Sequence, residues 1–508
     1  MKKVSLHIAT ILVMMILFFV NAYAFPALDT DIIKYVDNVK YLLREIDGEK
    51  IAFVLDYGET EEIKSQMTEI KILSEVDGYT VKEICTVCQG ENYPNVTEIV
   101  VGENVESIDY KSFYNLDSLK NVTLPTTLTY IGEEAFYSCD KLETINLDSV
   151  TYIGTDAFGS CTSLREITFS ESVEIIGTRS FKNTGLEKIT IPATASLSCT
   201  ADYFVEYAQI RNCENLKEVI FEEGERTKLY IPQSAFSGCT NLKKVVLPEN
   251  ITELSLGDYA FANCKNLTKF DFSDVTEIDD SVFLHCIKLT KAEFSENLKT
   301  IGCHAFEGTS LKTITIPSKT VLKCCLSGEY EHYDDTDAFK DFYAQFKNCK
   351  SLKTVIFEDR ATSKFTIPHY AFEGCTALKK VYLPEDTKIT VGPRAFKNCT
   401  SLTKVYGSEN IVEIGDAAFS YCKSLKEITL GKNLKTVGEK AFLGCSKLAR
   451  VNLESTKTAP TFGRKAFSAT ADGIKFVADK TIAKKVKTNL KNTATKNAKV
   501  YSVSYSKV

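Results

Sequence analysis

The sequence predicts a repeat solenoid: a curved single domain built by stacking one short unit, a β-strand plus a short helical turn, many times over. Three observations predict it. The phrase IGEEAFYSCDKLETINL, beginning at Ile131, returns as IGTDAFGSCTSLREITF at Ile153 and as IGDAAFSYCKSLKEITL at Ile414. An anchoring aromatic recurs at Phe113, Phe136, Phe158, Phe181, Phe236, Phe261, Phe283, Phe306, Phe346, Phe372, Phe396, Phe419, Phe442 and Phe467. With Ile210 in the slot between Phe181 and Phe236, that makes fifteen rungs, mostly 22 to 26 residues apart. A unit of this size cannot bury its own apolar face, so neighbours must stack into a continuous core.

The elements follow in chain order. Lys2 and Lys3, the unbroken apolar run Ile11 to Val20 and the small-x-small phrase Ala22-Tyr23-Ala24 read as a signal peptide, residues 1–24, cleaved after Ala24. A membrane anchor is the alternative, but the apolar run is shorter than the ~20 residues a spanning helix needs. Cleavage leaves 484 residues (508 minus 24), with no further stretch that could span a membrane. Asp47-Gly48 and Asp77-Gly78 each stand between alternating segments, the signature of tight hairpins.

Within the repeat each position has a physical reason. A cysteine three residues after the aromatic shares its face on one helical turn, so both side chains can point inward. Eleven of the seventeen cysteines, Cys139 through Cys445, hold this position. They read as a ladder of buried free thiols, because one cysteine per rung leaves no consistent pairing scheme; disulfides between adjacent rungs are the rival, since strand spacing permits them. A strand follows, as in LREITF, where Ile167 and Phe169 alternate with Glu166 and Thr168. Glycine stands four residues before the aromatic in nine rungs, Gly132, Gly154 and Gly415 among them, where the chain must turn with little room. Pro232 and Pro368 take the same place. At ~4.8 Å between strands, fifteen rungs give an arc of roughly 70 Å.

These phrases resemble the BspA-type leucine-rich repeat family, whose unit reads roughly L-x-x-I-x-I-P and then I-G-x-x-A-F-x-x-C; LEKITIP at Leu186 and LKTITIP at Leu311 fit it. The match runs from about Gly78 to Phe467. The resemblance implies a leucine-rich repeat fold and a secreted or cell-surface protein, several members of the family being adhesins. It divides the chain into an N-terminal cap and degenerate first repeat (25–110), the leucine-rich repeat solenoid (111–470) and a lysine-rich C-terminal cap (471–508). A longer-range repetition is also visible. The stretch from Phe181 through Cys239 aligns with that from Phe306 through Cys375, and each carries a long excursion, after Pro192 and after Pro317.

Signals for chemistry are weak. His285, His304 and His369 fall in variable turn positions beside the aromatic, which accounts for them without catalysis or metal binding. Cys85-x-x-Cys88 could be a redox motif or half a zinc site, but no second pair at ligand spacing exists; a local disulfide or two buried thiols is the simpler reading. Cys199, Cys324 and Cys325 lie in the excursions and are the better disulfide candidates, and Cys303, like the Cys85 and Cys88 pair, is left open. Tyr330, Tyr333, Asp334 and Asp335 crowd the second excursion as a candidate ligand-binding cluster, with a solvated loop as the plain alternative. No cofactor or metal site is expected.

The net charge of −6 excludes a nucleic-acid role for the whole chain, although Ile474 to Val508 holds nine lysines against one acid. That end is either a solvated cap or a contact for an anionic wall polymer. The expected function is a binding protein, secreted or surface-exposed and adhesin-like, engaging a protein or glycan on a host or neighbouring cell. An exported hydrolase with its site on an insertion is the alternative, disfavoured because the repeats leave no separate catalytic domain. The expected ligand-binding residues occupy the strand position between the second and third apolar residues, which must point outward. It is polar at Thr123, Asn146 and Thr168, but apolar or aromatic at Ile220 and Val246, and again at Ile356, Tyr382 and Tyr406 on three consecutive rungs. Lys353, Lys380 and Lys404 are expected beside them.

Overall fold

The computed structural model describes residues 28, 30–197, 209–323, 344–360, 362–454, 458–493, 495 and 497–503. They form two compact units, one comprising residues up to Leu186 with Thr194–Ser196, the other Glu187–Ala193 and the residues from Leu197 on. Both are β-solenoid, about sixteen turns in all with little helix. Among the described residues no helix is long and apolar enough to cross a membrane.

A regular turn carries two strands, one more than the repeat phrase suggests. In the first unit Ser107–Ile108, Tyr130–Ile131, Tyr152–Ile153 and Ile175–Ile176, each just before the glycine position, pair in parallel from rung to rung. A second line follows the cysteine: Thr144–Leu147 pairs in parallel with Glu166–Phe169, Thr144 opposite Glu166 and Leu147 opposite Phe169. The second unit repeats the plan, with Thr313–Ile316, Thr354–Phe357, Lys380–Tyr382 and Lys404–Tyr406 forming one sheet in unbroken register. Equal repeat positions therefore become lateral neighbours. Alternation decides which side chains face in: Ile428 and Leu430 are buried, whereas Glu427 is exposed.

The stretch around the aromatic, expected as a helical turn, is a chain of single turns. Three-residue bonds such as Cys139 N–H to the Phe136 carbonyl, 3.3 Å, close them. Helix cannot propagate, because the residue two after the aromatic is left-handed in every rung: Asn115 at φ 60°, Ser138 at 55°, His285 at 57°, Tyr421 at 61° and Gly444 at 73° are examples. The N–H groups that a helix would use internally go to the next rung instead, as from Phe372 to the Ala395 carbonyl at 2.8 Å.

Stacked rings fill the core. Phe113, Phe136, Phe158 and Phe181 stack at 5.2, 5.3 and 5.5 Å between centroids. Tyr57 extends this column by stacking on Phe113 at 5.7 Å. In the second unit Phe396, Phe419, Phe442 and Phe467 are spaced 5.3, 5.3 and 5.2 Å. The cysteines line the same core. All eleven ladder cysteines are buried free thiols. Ten reach the carbonyl of the preceding rung's anchor residue, for example Cys161 Sγ to Phe136 O at 3.1 Å, Cys239 to Ile210 O at 3.1 Å and Cys422 to Phe396 O at 3.2 Å. Cys213 Sγ also reaches the Arg211 carbonyl at 3.9 Å. Where threonine replaces cysteine, at Thr184, Thr309 and Thr470, the hydroxyl donates to its own rung's phenylalanine carbonyl at 2.9 to 3.0 Å.

Glycine before the aromatic serves close approach, as the reading of a turn with little room expects. A Cβ at Gly154 would lie 2.6 Å from the carbonyl carbon of Gly132, and one at Gly415 2.6 Å from Pro393 N. The N-terminal strands pair as expected across Asp47-Gly48, Val39–Ile46 running antiparallel to Glu49–Tyr57. Across Asp77-Gly78 the hairpin is short: Glu75–Val76 pairs with Tyr79–Ile84, while Glu69–Ile72 joins the other sheet. At the C-terminal end Lys475–Asp479 leads into the helix Lys480–Asn489, which buries Ile482 and Val486 and keeps its lysines outward; Asp479 caps its N-terminus by accepting from Thr481 N–H at 2.8 Å.

Candidate functional site

The outward strand positions of the second unit carry the residues singled out in the sequence. Ile220 lies beside Val246, and Ile356 beside Tyr382, which in turn faces Tyr406 across parallel ladders. The two tyrosine rings stack face to face at 4.5 Å and 3°. Their backbones fix this contact, since in-register parallel strands bring equal positions to ~4.8 Å, close to ring-stacking distance. Tyr406 is 37 % exposed, and Lys404 Nζ sits 5.5 Å from its ring centroid. Lys380 pairs laterally with Lys404. Lys353 is in a different column: its register partner is Lys379, whose N–H donates to the Lys353 carbonyl at 2.8 Å, and Thr354 stands opposite Lys380. Frame, not residue type, sets neighbours. Tyr330, Tyr333, Asp334 and Asp335 lie outside the described residues, as do the expected signal peptide and Cys199, Cys324 and Cys325.

A shallow cavity of about 520 Å³ opens beside Tyr406, lined also by Lys380, Lys404, Lys426, Glu427 and Arg450. Its origin is a break in the sheet. Lys404–Tyr406 ends at Gly407, whose φ of 74° starts a short 3₁₀ turn, Ser408–Asn410, and the ladder resumes only with Glu427–Leu430 paired to Arg450–Leu453. Sequence reading missed Lys426, Glu427 and Arg450 because it followed only the rungs with an apolar or aromatic middle outward residue; Glu427 and Arg450 stand two residues before polar Thr429 and Asn452, and Lys426 one residue further back.

Two other groupings bear on chemistry. Cys85 and Cys88 are both free thiols, and they do not share a site. Cys85 comes together with Glu83 and Asp109, their donor atoms within 4.8 Å of one another. Glu83 and Cys85 point to the same side of one strand, and Asp109 occupies the matching place on the next rung, so these three could hold a cation. Burial, the neighbouring Asp109 carboxylate and, in the opposite sense, a hydrogen bond from Cys85 leave the Glu83 carboxyl pushed up to about 7. Cys303 is disulfide-bonded. His285 and His304, both with positive φ, and the half-buried His369 occupy the turn positions expected of them. His304 pairs with Glu307 at 2.5 Å, and burial lowers the pKa of His369.

Comparison with known proteins agrees with this architecture. The chain matches a leucine-rich repeat protein from Bacteroides ovatus at 21% identity and a TM-score of 0.55, over 92% of this chain and 99% of that one. A leucine-rich cell surface protein from Faecalibacterium prausnitzii aligns over 94% of this chain and 97% of its own, at 19% identity and a TM-score of 0.27. The pneumococcal vaccine antigen PcpA aligns over 93% and 99%, at 19% identity and a TM-score of 0.34. No curated protein matches the sequence. The model for the BspA type leucine-rich repeat region matches residues 91–204, 205–327 and 343–473. Six copies of that unit over more than half of the sequence make this chain a member of the BspA-type leucine-rich repeat family.

Proposed function

We propose that the chain is a secreted or surface-displayed binding protein of adhesin-like character, engaging a partner molecule through the second strand line of its C-terminal unit. The observation that carries this reading is the laterally registered group of half-buried Ile356 and Tyr382 with exposed Tyr406. Tyrosine is favoured at interface hot spots, because it offers a large, rigid contact area with a polar tip. The N-terminal signal phrase supports export, and the family's usual location supports surface display. The position of the repeats supports binding over catalysis, since nearly every residue is committed to a rung.

The test is adhesion of the purified mature chain, residues 25–508, to intact host and bacterial cells. Tyr382→Ala with Tyr406→Ala should weaken binding by about 1 to 3 kcal/mol per residue without altering the circular dichroism spectrum. Binding that persists at full strength in the folded double variant removes this face. Turnover of a peptide, ester or glycoside by the pure chain, abolished by one point substitution, would replace the reading with an exported hydrolase.

A further inference from the structure

Charge on the second strand line changes character along the unit. At the first outward position, Lys188, Glu218 and Lys244 are lateral neighbours, and the glutamate bridges both lysines at 3.8 and 2.7 Å. That column neutralises itself. In the six C-terminal rungs the same position reads Lys380, Lys404, Glu427, Arg450, Lys475 and Lys499. Five cations there meet one carboxylate, and among the described residues only Lys404 has an acid within ion-pair distance, Glu427 at 3.8 Å. Lys426 adds a further cation to the lining of the cavity beside Tyr406. On either side of the sheet break, paired rungs set these side chains at ~4.8 Å, with Lys380 and Lys404 on one side and Arg450, Lys475 and Lys499 on the other; such a file is a field that a compact anion would not use but a linear polymer would.

We propose that this column and the cavity at the sheet break bind an acidic polysaccharide, its uronate or sulfate groups on the lysines and Arg450 and a sugar ring against Tyr406. The proposal rests on the binding reading above and names the ligand class for the same face. Three features select a glycan over other polyanions. Tyr382 stacks on one side of the Tyr406 ring, and the exposed Tyr406 lines the cavity beside Lys404, so its ring offers an aromatic contact for a pyranose entering there. Glu427 lines the cavity, where its carboxylate accepts hydrogen bonds from sugar hydroxyls, donors that a phosphodiester backbone lacks. A pyranose unit is comparable in length to the spacing between rungs, so charge repeated along a sugar chain stays in step with the column.

The experiment is retention of the mature chain on immobilised heparin, hyaluronate and neutral dextran, with polyglutamate and single-stranded DNA as competitors. Heparin and hyaluronate distinguish sulfate from carboxylate as the anion read. The expected result is binding to at least one acidic glycan and none to dextran, weakening steeply between low and high salt as exposed charges are screened. Lys380→Glu combined with Arg450→Glu should lower affinity at least tenfold, whereas Lys120→Glu with Lys141→Glu in the first unit, the same change in net charge, should leave it within twofold. Tyr406→Ala should weaken glycan binding several-fold and leave any polyglutamate or DNA binding unchanged, which separates ring stacking from bulk charge. Circular dichroism confirms that each variant folds. The idea is overturned if no acidic glycan binds at low salt, if the two charge-reversal pairs behave alike, or if polyglutamate or DNA competes as well as glycan and Tyr406→Ala has no effect. Cell adhesion that persists while every acidic glycan fails would sink the ligand class and leave the binding reading standing.

Discussion

Phe419→Ala probes what holds one rung on the next. Phe419 is fully buried and stacks at 5.3 Å on both Phe396 and Phe442. Truncating a buried phenylalanine costs about 3–5 kcal/mol, the upper end applying where surroundings cannot collapse. Collapse is hindered here, because both flanking rings are tied to their own rungs by turns bonded to neighbours, such as Phe396 N–H to the Ala418 carbonyl at 2.8 Å. A cost of about 4 kcal/mol is therefore expected, or roughly a thousandfold in the opening equilibrium at 1.36 kcal/mol per decade. Since a solenoid is stabilised by nearest-neighbour interfaces, the loss should be local. Hydrogen exchange followed by mass spectrometry should show protection falling over residues 396–442 and unchanged around Phe113 and Phe136. Phe419→Ile, which copies the Ile210 rung, should cost less than half as much. A uniform fall in protection along the chain, or a loss under 1 kcal/mol, would refute the account of the ring column as the local cement.

Gly415→Ala should destabilise by about 1–3 kcal/mol in chemical denaturation, because its Cβ would lie 2.6 Å from Pro393 N and force two rungs apart; full tolerance would mean that the stack is looser than described. Thiol counting should find few reactive cysteines in the native chain and at least thirteen after unfolding, matching the free cysteines; fewer than eleven would show that rungs are cross-linked. Cys422→Ala should cost only about 1 kcal/mol, because Cys399 N–H still serves the Phe396 carbonyl at 3.2 Å when the thiol is gone, and a loss above 3 kcal/mol would contradict this. Glu83 gives a pH dependence: with its carboxyl at about 7 against the usual 4.5, the folded chain keeps a proton that the unfolded chain releases, so stability falls as pH rises from about 4.5 to 7. Glu83→Gln should raise Tm above pH 7 and leave it unchanged below about pH 4.5, and a difference independent of pH would dismiss the buried carboxyl as its cause.

Rung spacing, the buried phenylalanines and cysteines, and the Asp47-Gly48 hairpin were legible because each depends on a residue type recurring at a fixed interval. The second strand of each turn was not. A segment such as Tyr152-Ile153 is too short for alternation to declare itself, and its pairing comes from the next rung, not from local pattern. The left-handed residue after each aromatic was also hidden, because Asn115, Ser138, His285 and Tyr421 share no side-chain chemistry. What they share is a backbone conformation that neighbouring rungs impose. Tyr57 went unnoticed at the start of the ring column because the repeat phrase does not extend to it. For the candidate site, the adjacency of Ile356, Tyr382 and Tyr406 followed from the repeat frame, whereas Lys353 was matched to Lys380 by residue type and stands one position out of register.

Register has a further consequence for where function can be written on such a chain. Inward positions are held to phenylalanine, cysteine, leucine and isoleucine by a core in which rings on adjacent rungs stack at 5.2 to 5.7 Å wherever both rungs carry phenylalanine, so a change there is felt by two rungs. Outward positions carry no such constraint individually, yet parallel pairing joins them into columns, so a preference for one charge or one ring type is multiplied by the number of rungs that share it. Lys188, Glu218 and Lys244 show a column that cancels, and Lys380 through Lys499 one that accumulates. A column alone is a flat stripe. At Gly407 the ladder stops and restarts, and the gap places Tyr406, Lys426 and Glu427 around a concavity that an unbroken sheet would have closed. Restoring a regular unit by replacing the GSEN turn at Gly407 with the LPED sequence found at Leu383, after which the ladder does continue, should therefore close the cavity and leave the cation column intact, dividing the contribution of concavity from that of charge.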